Sequence, residues 1–454
     1  MNTAALGHKP FSLGRAAAGS ASLPEVHRTI DVPRVASGGG GRAHVKRLLA
    51  FAGPGYMVAV GYMDPGNWAT SIAGGSQFGY PLLAVIFISN LIAMMFQAAA
   101  VRLGLASGHD LAQACRAHFP PRVNLMLWLF CEIAIVACNL AEVLGMAIGL
   151  NLLFGMPLLM GVCVTVVDVM LILSLQRRGF RTLEAVVIAL VALIGVCFAA
   201  QLVWLHPSVA AIVSGFIPSA QIVANPEMLY LAVGIVGATV MPHNLYLHSA
   251  IVQTRRHEIS AEGTRQAIRY ATVDSTLALA LALFVNAAIL IVAAGAFSRP
   301  GQAAVTELSD AYRLLSPLLG VGIASAVFGV ALLASGLSSS VTGTLAGQIV
   351  MEGFLQIRLS PAKRALLTRL IAIVPAVIAT AFYGSKGASS LLVFSQVVLS
   401  LQLPFAIVPL LIFTTRRTHL GEMAFGRGMS CALWLAAAVV VVLNVWMLQR
   451  LAMG

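Results

Sequence analysis

Residues 61–71 read GYMDPGNWATS and interrupt a long apolar stretch near the N-terminus with an aspartate, a proline and an asparagine. A second interruption occurs in the other half of the chain, where residues 238–249 read ATVMPHNLYLHS. Each contains a proline followed two residues later by an asparagine: Pro65 with Asn67, and Pro242 with Asn244. Because proline lacks a backbone donor and clashes with the preceding turn, we expect an apolar helix to be broken at both places.

The composition around these breaks is that of an integral membrane protein. Hydrophobic residues make up 59% of the 454-residue chain and charged residues only 10%, which inverts the balance of a soluble globular protein. Uncharged stretches long enough for one or two spans of about 20 residues recur along the chain. Cutting them at glycine, proline and charged residues predicts an all-α protein of eleven transmembrane helices, which begin near positions 47, 79, 122, 155, 182, 227, 271, 314, 365, 387 and 428.

The basic residues predict the orientation of these helices. If the first 46 residues are cytoplasmic and the spans alternate, the inside segments hold all but four of the 28 Lys and Arg residues, the exceptions being Arg299, Arg313, Lys386 and Arg450. This positive-inside asymmetry predicts a multi-pass protein of the cell (inner) membrane with the N-terminus in the cytoplasm and the C-terminus outside. Topology also accounts for the net charge of +12, so neither a nucleic-acid partner nor an obligatory protein partner is indicated.

The chain divides into a tail and one membrane domain. Residues 1–46 are polar and are predicted to form a disordered cytoplasmic tail, whereas residues 47–450 are predicted to form the membrane domain. The two breaks lie at corresponding places in two sets of five spans, residues 47–204 and 227–415, with residues 428–450 as an extra helix. This pattern is typical of an inverted-repeat transporter whose substrate binds between two discontinuous helices. Ordinary proline kinks are the alternative, but they do not require an aspartate and a histidine at the breaks.

The residues at the breaks indicate a cation as substrate. A charged side chain such as Asp64 costs about 3 kcal/mol at the centre of a membrane, and neither broken span has a Lys or Arg in its interior to pair with it. Asn67 offers an amide oxygen, and the end of the first half-helix around Gly61 offers carbonyl groups. Met241 adds a soft thioether, which favours Mn²⁺, Fe²⁺, Co²⁺ or Cd²⁺ over Mg²⁺ and Ca²⁺. The metal is then the substrate and not a cofactor. The six cysteines include no CxxC pair, which indicates no disulfide framework, zinc site or other cofactor.

Two histidines follow Met241 in the second break. His243 could ligate the metal or carry a proton near neutral pH, and we favour the proton because the thioether already supplies the soft ligand. For His248, packing and function both stay open.

The third span carries a polar stripe. Residues 131–145 read CEIAIVACNLAEVLG, and helical geometry places Glu132, Asn139 and Glu142 within about 80° of one another. Buried acids in membrane helices typically form proton relays, which we expect of Glu142. Glu132 lies nearer the inner loop and is either a relay residue or an anchor there.

These motifs resemble the Nramp family of proton-coupled divalent-metal transporters, and in particular its bacterial manganese and iron transport proteins. The likeness begins with DPGN in the first span and MPH in the sixth. It continues in GLSSSVTGTLAGQIVMEGF at residues 336–354, KRALLTR at 363–369 and SQVVLS at 395–400, and covers residues 47 to about 450.

The resemblance implies a LeuT-type fold, with broken first and sixth helices, that imports Mn²⁺ or Fe²⁺ by symport with protons, Co²⁺ and Cd²⁺ being further candidates. It implies metal ligation by the following groups: the side chains of Asp64, Asn67 and Met241, the carbonyls near Gly61 and Ala238, and Gln396 in inward-closed states. It also implies a proton path through Asp64, His243 and the third span toward Arg364 or Arg369. Members of a magnesium-carrying branch lack the methionine, so Met241 points to the transition-metal branch.

One residue departs from the family pattern. Many bacterial members have an aspartate where this chain has Asn139, and an amide cannot hold a proton. The relay is therefore expected to depend on Glu142 and Glu132.

Two other functions fit parts of the sequence. An organic-cation or amino-acid symporter on the same fold could use Asp64 to bind an ammonium group, although Met241 does not suit such a substrate. An intramembrane metalloenzyme could use His243 and His248, but these lie about 140° apart on a helix and no HExxH motif is present.

Overall fold

The computed structural model describes residues 26–32, 41–298, 304–357 and 359–453 and is almost entirely helical. The helices of the first half are α1 (Gly41–Phe51), α2 (Pro54–Ala59), α3 (Pro65–Phe78), α4 (Leu83–Ser107), α5 (Leu111–His118), α6 (Pro121–Phe154), α7 (Leu158–Val164), α8 (Val166–Arg177), α9 (Phe180–Leu205), α10 (Val209–Gly215) and α11 (Gln221–Ala224). Those of the second half are α12 (Pro226–Thr239), α13 (Pro242–Ile251), α14 (Ala261–Phe297), α15 (Leu308–Leu319), α16 (Ala324–Leu355), α17 (Pro361–Thr415), α18 (Arg417–Leu420) and α19 (Arg427–Met453).

Within the described ranges, nine helices are long and apolar enough to cross a membrane. The first broken span is not among them, because it is divided into α2, a 3₁₀ turn at Gly61–Met63 and α3. The long helix α17 counts as one, although Gly384 within it has non-helical dihedral angles (φ 60°, ψ −144°). The predicted eleven spans require the broken helix to be added and α17 to be divided at Gly384, and that number stays a prediction.

The packing of the bundle is that of a protein whose solvent is lipid. Helix α6 packs against α16 and α17, and α14 packs against α3 and α4. The outer helices expose apolar side chains, such as Met170 on α8 and Leu435 on α19. Polar side chains such as Asp64, His243 and Gln396 are fully buried instead. Helices predominate because lipid offers no partner for backbone N–H and C=O groups, which must be satisfied within each segment.

The predicted disordered tail, residues 1–46, lies mostly outside the described residues. Where the structure describes it, the chain has defined partners. Strand β1 (Ile30–Asp31) pairs in parallel with β2 (Arg255–Arg256), with Ile30 opposite Arg255. Helix α1 begins at Gly41, which is six residues before the predicted start of the membrane domain.

The N-terminal end of the first broken helix is fixed to its neighbours by charged side chains. Asp274 on α14 accepts a hydrogen bond from the backbone N–H of Gly55 in α2 at 2.7 Å. Arg255 forms a buried ion pair with Glu184 of α9 at 2.6 Å and donates to the carbonyl of Ala52 at 2.7 Å. These contacts hold this end of α2 closed against α9 and α14.

The opposite end of the two broken helices is open. A cavity of about 540 Å³ lies where α3 ends and α12 begins, and Gln77, Glu227 and Tyr230 line it. Val393 of α17 also lines the cavity and lies one helical turn from Gln396. The described residues thus tie the start of α2 to α9 and α14, and a cavity lies at the opposite end, where α3 and α12 meet.

Candidate metal-binding site and its acid clusters

Both predicted helix breaks are present, and they have the same construction. Helix α2 and its 3₁₀ turn end at Asp64, whose backbone is extended (φ −65°, ψ 161°), and α3 begins at Pro65. Helix α12 is followed by Met241, also extended (φ −70°, ψ 126°), and α13 begins at Pro242. Proline suits this first helical position because its missing N–H would be unpaired there in any case. Each proline thus ends one half-helix and starts the next.

Asp64 is the residue on which the first break is organised. Its Oδ1 accepts a hydrogen bond from the backbone N–H of Asn67 at 2.9 Å, so the carboxylate caps α3. Its Oδ2 accepts from Nε2 of Gln396 on α17 at 3.2 Å. All three side chains are fully buried. The predicted ligands Asp64, Asn67 and Gln396 therefore lie together.

Several oxygen atoms around Asp64 lack hydrogen-bond partners. Among the described residues this holds for Oδ1 of Asn67, Oε1 of Gln396 and Oδ1 of Asn244, all of which are buried. A buried acceptor left unsatisfied costs about 1–3 kcal/mol, so three in one place indicate a missing electropositive partner. A metal ion is one such partner, because amide and carboxylate oxygens are suitable ligands for it. The described residues contain no group of three or more His, Cys, Asp and Glu side chains placed to hold a metal.

The second break lies against the first. Nδ2 of Asn67 reaches across to the carbonyl of Ala238 at 3.4 Å. Met241 is fully buried, and its sulfur accepts from Nδ2 of Asn244 at 3.6 Å. A Cβ atom on Gly61 would lie 2.4 Å from that same Nδ2, so a larger residue there would have to displace the Asn244 side chain. The predicted ligands of the two breaks are thus brought to one place.

The carbonyl groups freed by the first break have partners that sequence reasoning missed. The Tyr62 carbonyl accepts from Asn286 of α14 at 2.8 Å and also from Asn67. The Met63 carbonyl accepts from Ser335 of α16 and from the indole of Trp68. Unpaired backbone groups are tolerated at bilayer depth only where protein or a ligand satisfies them. Asn286, a polar residue in an otherwise apolar span, was the available sequence signal for this role.

The two histidines have different surroundings. His243 lies in the first turn of α13, is fully buried, and neither ring nitrogen has a hydrogen-bond partner among the described residues. His248 lies one turn further along, and its Nδ1 is 2.8 Å from Oε1 of Gln97 on α4. Gln97 in turn donates to the hydroxyl of Tyr62. His248 is therefore part of a hydrogen-bond chain with Gln97 and Tyr62, whereas His243, next to Met241, has no such partner among the described residues.

Four of the predicted proton-path residues form two ion pairs. Glu132 pairs with Arg364 at 2.5 Å and accepts from the indole of Trp128 at 3.1 Å. Glu142 pairs with Arg369 at 3.4 Å and accepts from the thiol of Cys138 at 3.5 Å. Each of the two arginines thus pairs with a different glutamate.

Two residues differ from what the polar stripe of the third span predicted: Asn139 within that span and Asp168 on α8. Asn139 does not join either cluster, since its amide donates to the carbonyl of Ile135 in its own helix at 2.8 Å. Asp168 of α8, which sequence reasoning missed, forms a second ion pair with Arg369. The available signal was an acid in the middle of the fourth apolar span, since acids in that setting are rarely without function.

Comparison with known proteins agrees with this architecture. The model of the natural resistance-associated macrophage protein-like (Nramp) family matches residues 55–450. A protein named divalent metal cation transporter MntH from Nostoc sp. is 57% identical over 433 residues, covering 95% of this chain and 97% of its own length. The protein of the same name from Mesorhizobium japonicum is 58% identical over 434 residues, covering 95% and 94%.

Solved structures give the same result for the fold. A manganese transporter from Eremococcus coleocola, solved in complex with an aromatic bis-isothiourea substituted compound, superposes with a TM-score of 0.85 at 39% identity, covering 93% of this chain and 90% of its own. Mhp1, a nucleobase-cation-symport-1 family transporter, superposes with a TM-score of 0.58 at 16% identity over 87% and 90% of the two chains, which shows the fold alone. The predicted all-α, LeuT-type membrane fold is confirmed. With 57% identity over nearly the whole chain and a family match from residue 55 to residue 450, this multi-pass membrane protein is a transporter and not an enzyme, and it belongs to the Nramp family.

Proposed function

We propose that this protein imports divalent transition-metal ions, Mn²⁺ or Fe²⁺ in the first place, by symport with protons. One observation carries the proposal: a buried carboxylate, unpartnered amide oxygens and a thioether converge where two helices are broken. Asp64, Asn67 and Gln396 supply the oxygens, and Met241 supplies the sulfur. One anionic ligand among neutral ones suits an ion that must bind and then leave.

The chemistry of these ligands selects the class of metal. Mg²⁺ and Ca²⁺ are held by oxygen ligands and gain little from sulfur. A thioether added to carboxylate and amide oxygens suits softer ions of the first transition series. The names of the relatives support this assignment, since they describe divalent metal cation transporters and a manganese transporter. Co²⁺ and Cd²⁺ fit the same ligands and are further candidate substrates.

The acid clusters support coupling to protons. His243, whose ring nitrogens lack partners, lies next to Met241 and could exchange a proton with the metal site. The pair Glu142–Arg369 and the pair Glu132–Arg364 lie about 15 Å apart along α6, by the helical rise between residues 132 and 142. These groups would form a path for protons separate from the cavity that Gln77, Glu227 and Tyr230 line. The N-terminus would lie in the cytoplasm and the cavity would open outward, in a bacterial inner membrane.

The alternative substrate is an organic cation or an amino acid. The shared fold with Mhp1 leaves this alternative open, since a fold alone does not determine what is bound. The contacts of Asp64 favour a metal, because its carboxylate is held by the Asn67 N–H and the Gln396 amide within hydrogen-bond distance. The thioether of Met241 next to these contacts does not suit an organic cation or an amino acid.

Uptake into liposomes tests the proposal directly. Purified protein in liposomes with a pH-sensitive dye inside should accumulate radiolabelled Mn²⁺ and acidify the lumen together, and it should not accumulate labelled leucine. Competition by unlabelled Fe²⁺, Co²⁺, Cd²⁺, Mg²⁺ and Ca²⁺ ranks the metals. Uptake of leucine without uptake of Mn²⁺ would favour the organic-substrate alternative.

Replacing Glu142 should affect the proton flux and the Mn²⁺ flux differently. We expect Glu142→Gln to reduce acidification per Mn²⁺ more strongly than it reduces Mn²⁺ uptake, because an amide cannot carry a proton. Asn139→Asp adds a carboxyl to the same helix face and should raise metal-driven acidification. The same dye-loaded liposomes report both fluxes, and unchanged acidification per metal in Glu142→Gln would show that the relay does not pass through α6.

Gly66 provides a test of the Gln396 contact. A Cβ atom at this position would lie 1.7 Å from Nε2 of Gln396, so Gly66→Ala must displace that side chain from Asp64. Losing a hydrogen bond to a charged group costs about 1.5–3 kcal/mol, so we expect Mn²⁺ uptake to fall by about tenfold or more. Gly322→Ala is the matched control, because nothing lies within 4 Å of its added methyl. Equal uptake by Gly66→Ala and the parent would mean that Gln396 does not hold Asp64 during transport.

A further inference from the structure

Asp168 is a buried acid for which the proposed transport mechanism, as described so far, has no role. It lies on α8, an outer helix whose Val167, Met170 and Leu171 are exposed by 64%, 70% and 51% toward the surrounding lipid. Its own side chain is turned inward and is 4% exposed. A carboxylate on a lipid-facing helix is costly and needs a partner, which here is the guanidinium of Arg369.

Arg369 is shared between two acids. Glu142 of α6 lies 3.4 Å from one of its terminal nitrogens, and Asp168 contacts the other. The side chains of Arg369 and Glu142 are 1% and 0% exposed. Within the described ranges neither carboxylate forms an ion pair with any other basic residue, so full ionisation would leave one uncompensated negative charge in the protein interior. An uncompensated buried charge is strongly disfavoured, and a proton held between the two carboxyls removes it.

The atoms around the cluster are compatible with a held proton. Oδ1 of Asp168 is buried. The Asp168 carboxyl also meets the hydroxyl of Ser340 and the backbone N–H of Val169, and a hydroxyl can accept a hydrogen bond from a protonated carboxyl. Glu142 faces two further titratable groups, the thiol of Cys138 and the carboxyl of Asp64 at the first helix break. Helices α7, α9, α16 and α17 pack against α8. The acids of α9 and α16 are engaged elsewhere, Glu184 with Arg255 and Glu352 with Gln348, and Cys163 of α7 is exposed.

The cluster also bears on Asn139, the position where many bacterial members of the family have an aspartate. That amide donates to the backbone of its own helix and offers no protonation change. We propose that Asp168 and Glu142, placed on either side of Arg369, form a two-carboxyl site that holds one transported proton. Asp168 then supplies, from α8, the acid that the third span lacks at Asn139. This inference rests on the proposed proton symport. In each cycle one proton leaves the carboxyl pair and one returns, and Arg369 balances the remaining negative charge.

Asp168→Asn is the decisive variant. It removes one titratable carboxyl and leaves Arg369 paired one to one with Glu142, so the charge of the buried cluster stays balanced and the protein should fold. In liposomes with a pH dye inside, we expect Mn²⁺ uptake to be retained while acidification per Mn²⁺ falls by about tenfold, since a positioned proton-transfer group contributes at least that much. Asp168→Glu, which keeps a carboxyl, should restore acidification. Glu422→Gln removes the acid of an exposed ion pair with Arg265 and should match the parent in both fluxes.

Infrared spectroscopy gives a readout that does not depend on transport. The difference spectrum between the parent protein and Asp168→Asn in lipid should contain the C=O stretching band of one protonated carboxyl, and a difference spectrum without this band would contradict the held proton. Parent protein that takes up Mn²⁺ without acidification would overturn both the symport and the carboxyl-pair site. Normal acidification by the parent and unchanged acidification per metal in Asp168→Asn would overturn this site alone and leave a structural ion pair.

Discussion

Asp64→Asn is expected to abolish metal uptake while leaving the protein folded and inserted in the membrane. Asp64 is the one carboxylate placed at the two helix breaks, and its loss leaves a divalent ion with neutral ligands only. Removing one partner of a buried charge pair costs about 3–5 kcal/mol, which corresponds to a loss of more than about a hundredfold in binding. Initial rates of radiolabelled Mn²⁺ uptake into liposomes measure this loss.

The fold should tolerate the change for a local reason. Asparagine caps a helix as well as aspartate does, so Oδ1 at position 64 can still accept from the N–H of Asn67. The neutral amide is also cheaper to place in a membrane than the carboxylate. Asp110→Asn is a matched control, because Asp110 is a buried aspartate that caps α5 by the same 2.9 Å hydrogen bond, to the N–H of Gln113. Parental uptake by a well-inserted Asp64→Asn protein would contradict the proposed site.

Met241→Ala is expected to keep Mn²⁺ transport and to lose discrimination against Ca²⁺ and Mg²⁺. The oxygen ligands remain, and only the soft ligand that favours transition metals is removed. We expect Ca²⁺ to compete with Mn²⁺ at least about tenfold more effectively, which corresponds to about 1.4 kcal/mol of differential binding. Competition curves with radiolabelled Mn²⁺ and increasing Ca²⁺ measure the shift.

A second substitution at this position separates sulfur chemistry from packing. Met241 is fully buried and packs against Cys138 and Leu399, so alanine also leaves a cavity. Met241→Leu keeps nearly the same volume without the sulfur, and such exchanges usually cost less than about 1.5 kcal/mol of stability. If the thioether sets the selectivity, leucine and alanine should behave alike. Parental Ca²⁺ competition in Met241→Leu would assign the effect to packing.

The sequence alone predicted the features that depend on local chemistry. Proline cannot continue a helix, so Pro65 and Pro242 marked both breaks without knowledge of any distant residue. The long apolar runs predicted the all-helical membrane fold, because only segments that satisfy their own backbone groups can cross lipid. The types of ligand at the breaks, a carboxylate, an amide and a thioether, could also be named from positions 64, 67 and 241.

Other features could not be predicted because their partners are far apart in the chain. Gln396 was implied only by the family resemblance, since 332 residues separate it from Asp64, whose carboxylate it contacts. The stripe of Glu132, Asn139 and Glu142 was visible as helical periodicity. Periodicity within one helix does not show which arginine pairs with which acid, or that the Asn139 amide bonds to its own helix.

The sequence by itself thus determined where the helices break and which atoms are offered there, because proline geometry and side-chain chemistry act within a few residues. Only the tertiary structure decided that Asn286 and Ser335 satisfy the freed carbonyls, and that Asp168 meets Arg369 across 201 residues of chain. In an interior with few charges, each buried charge must find a partner wherever the packing of the helices places one. That choice depends on how the helices pack, which the sequence of a single helix does not contain.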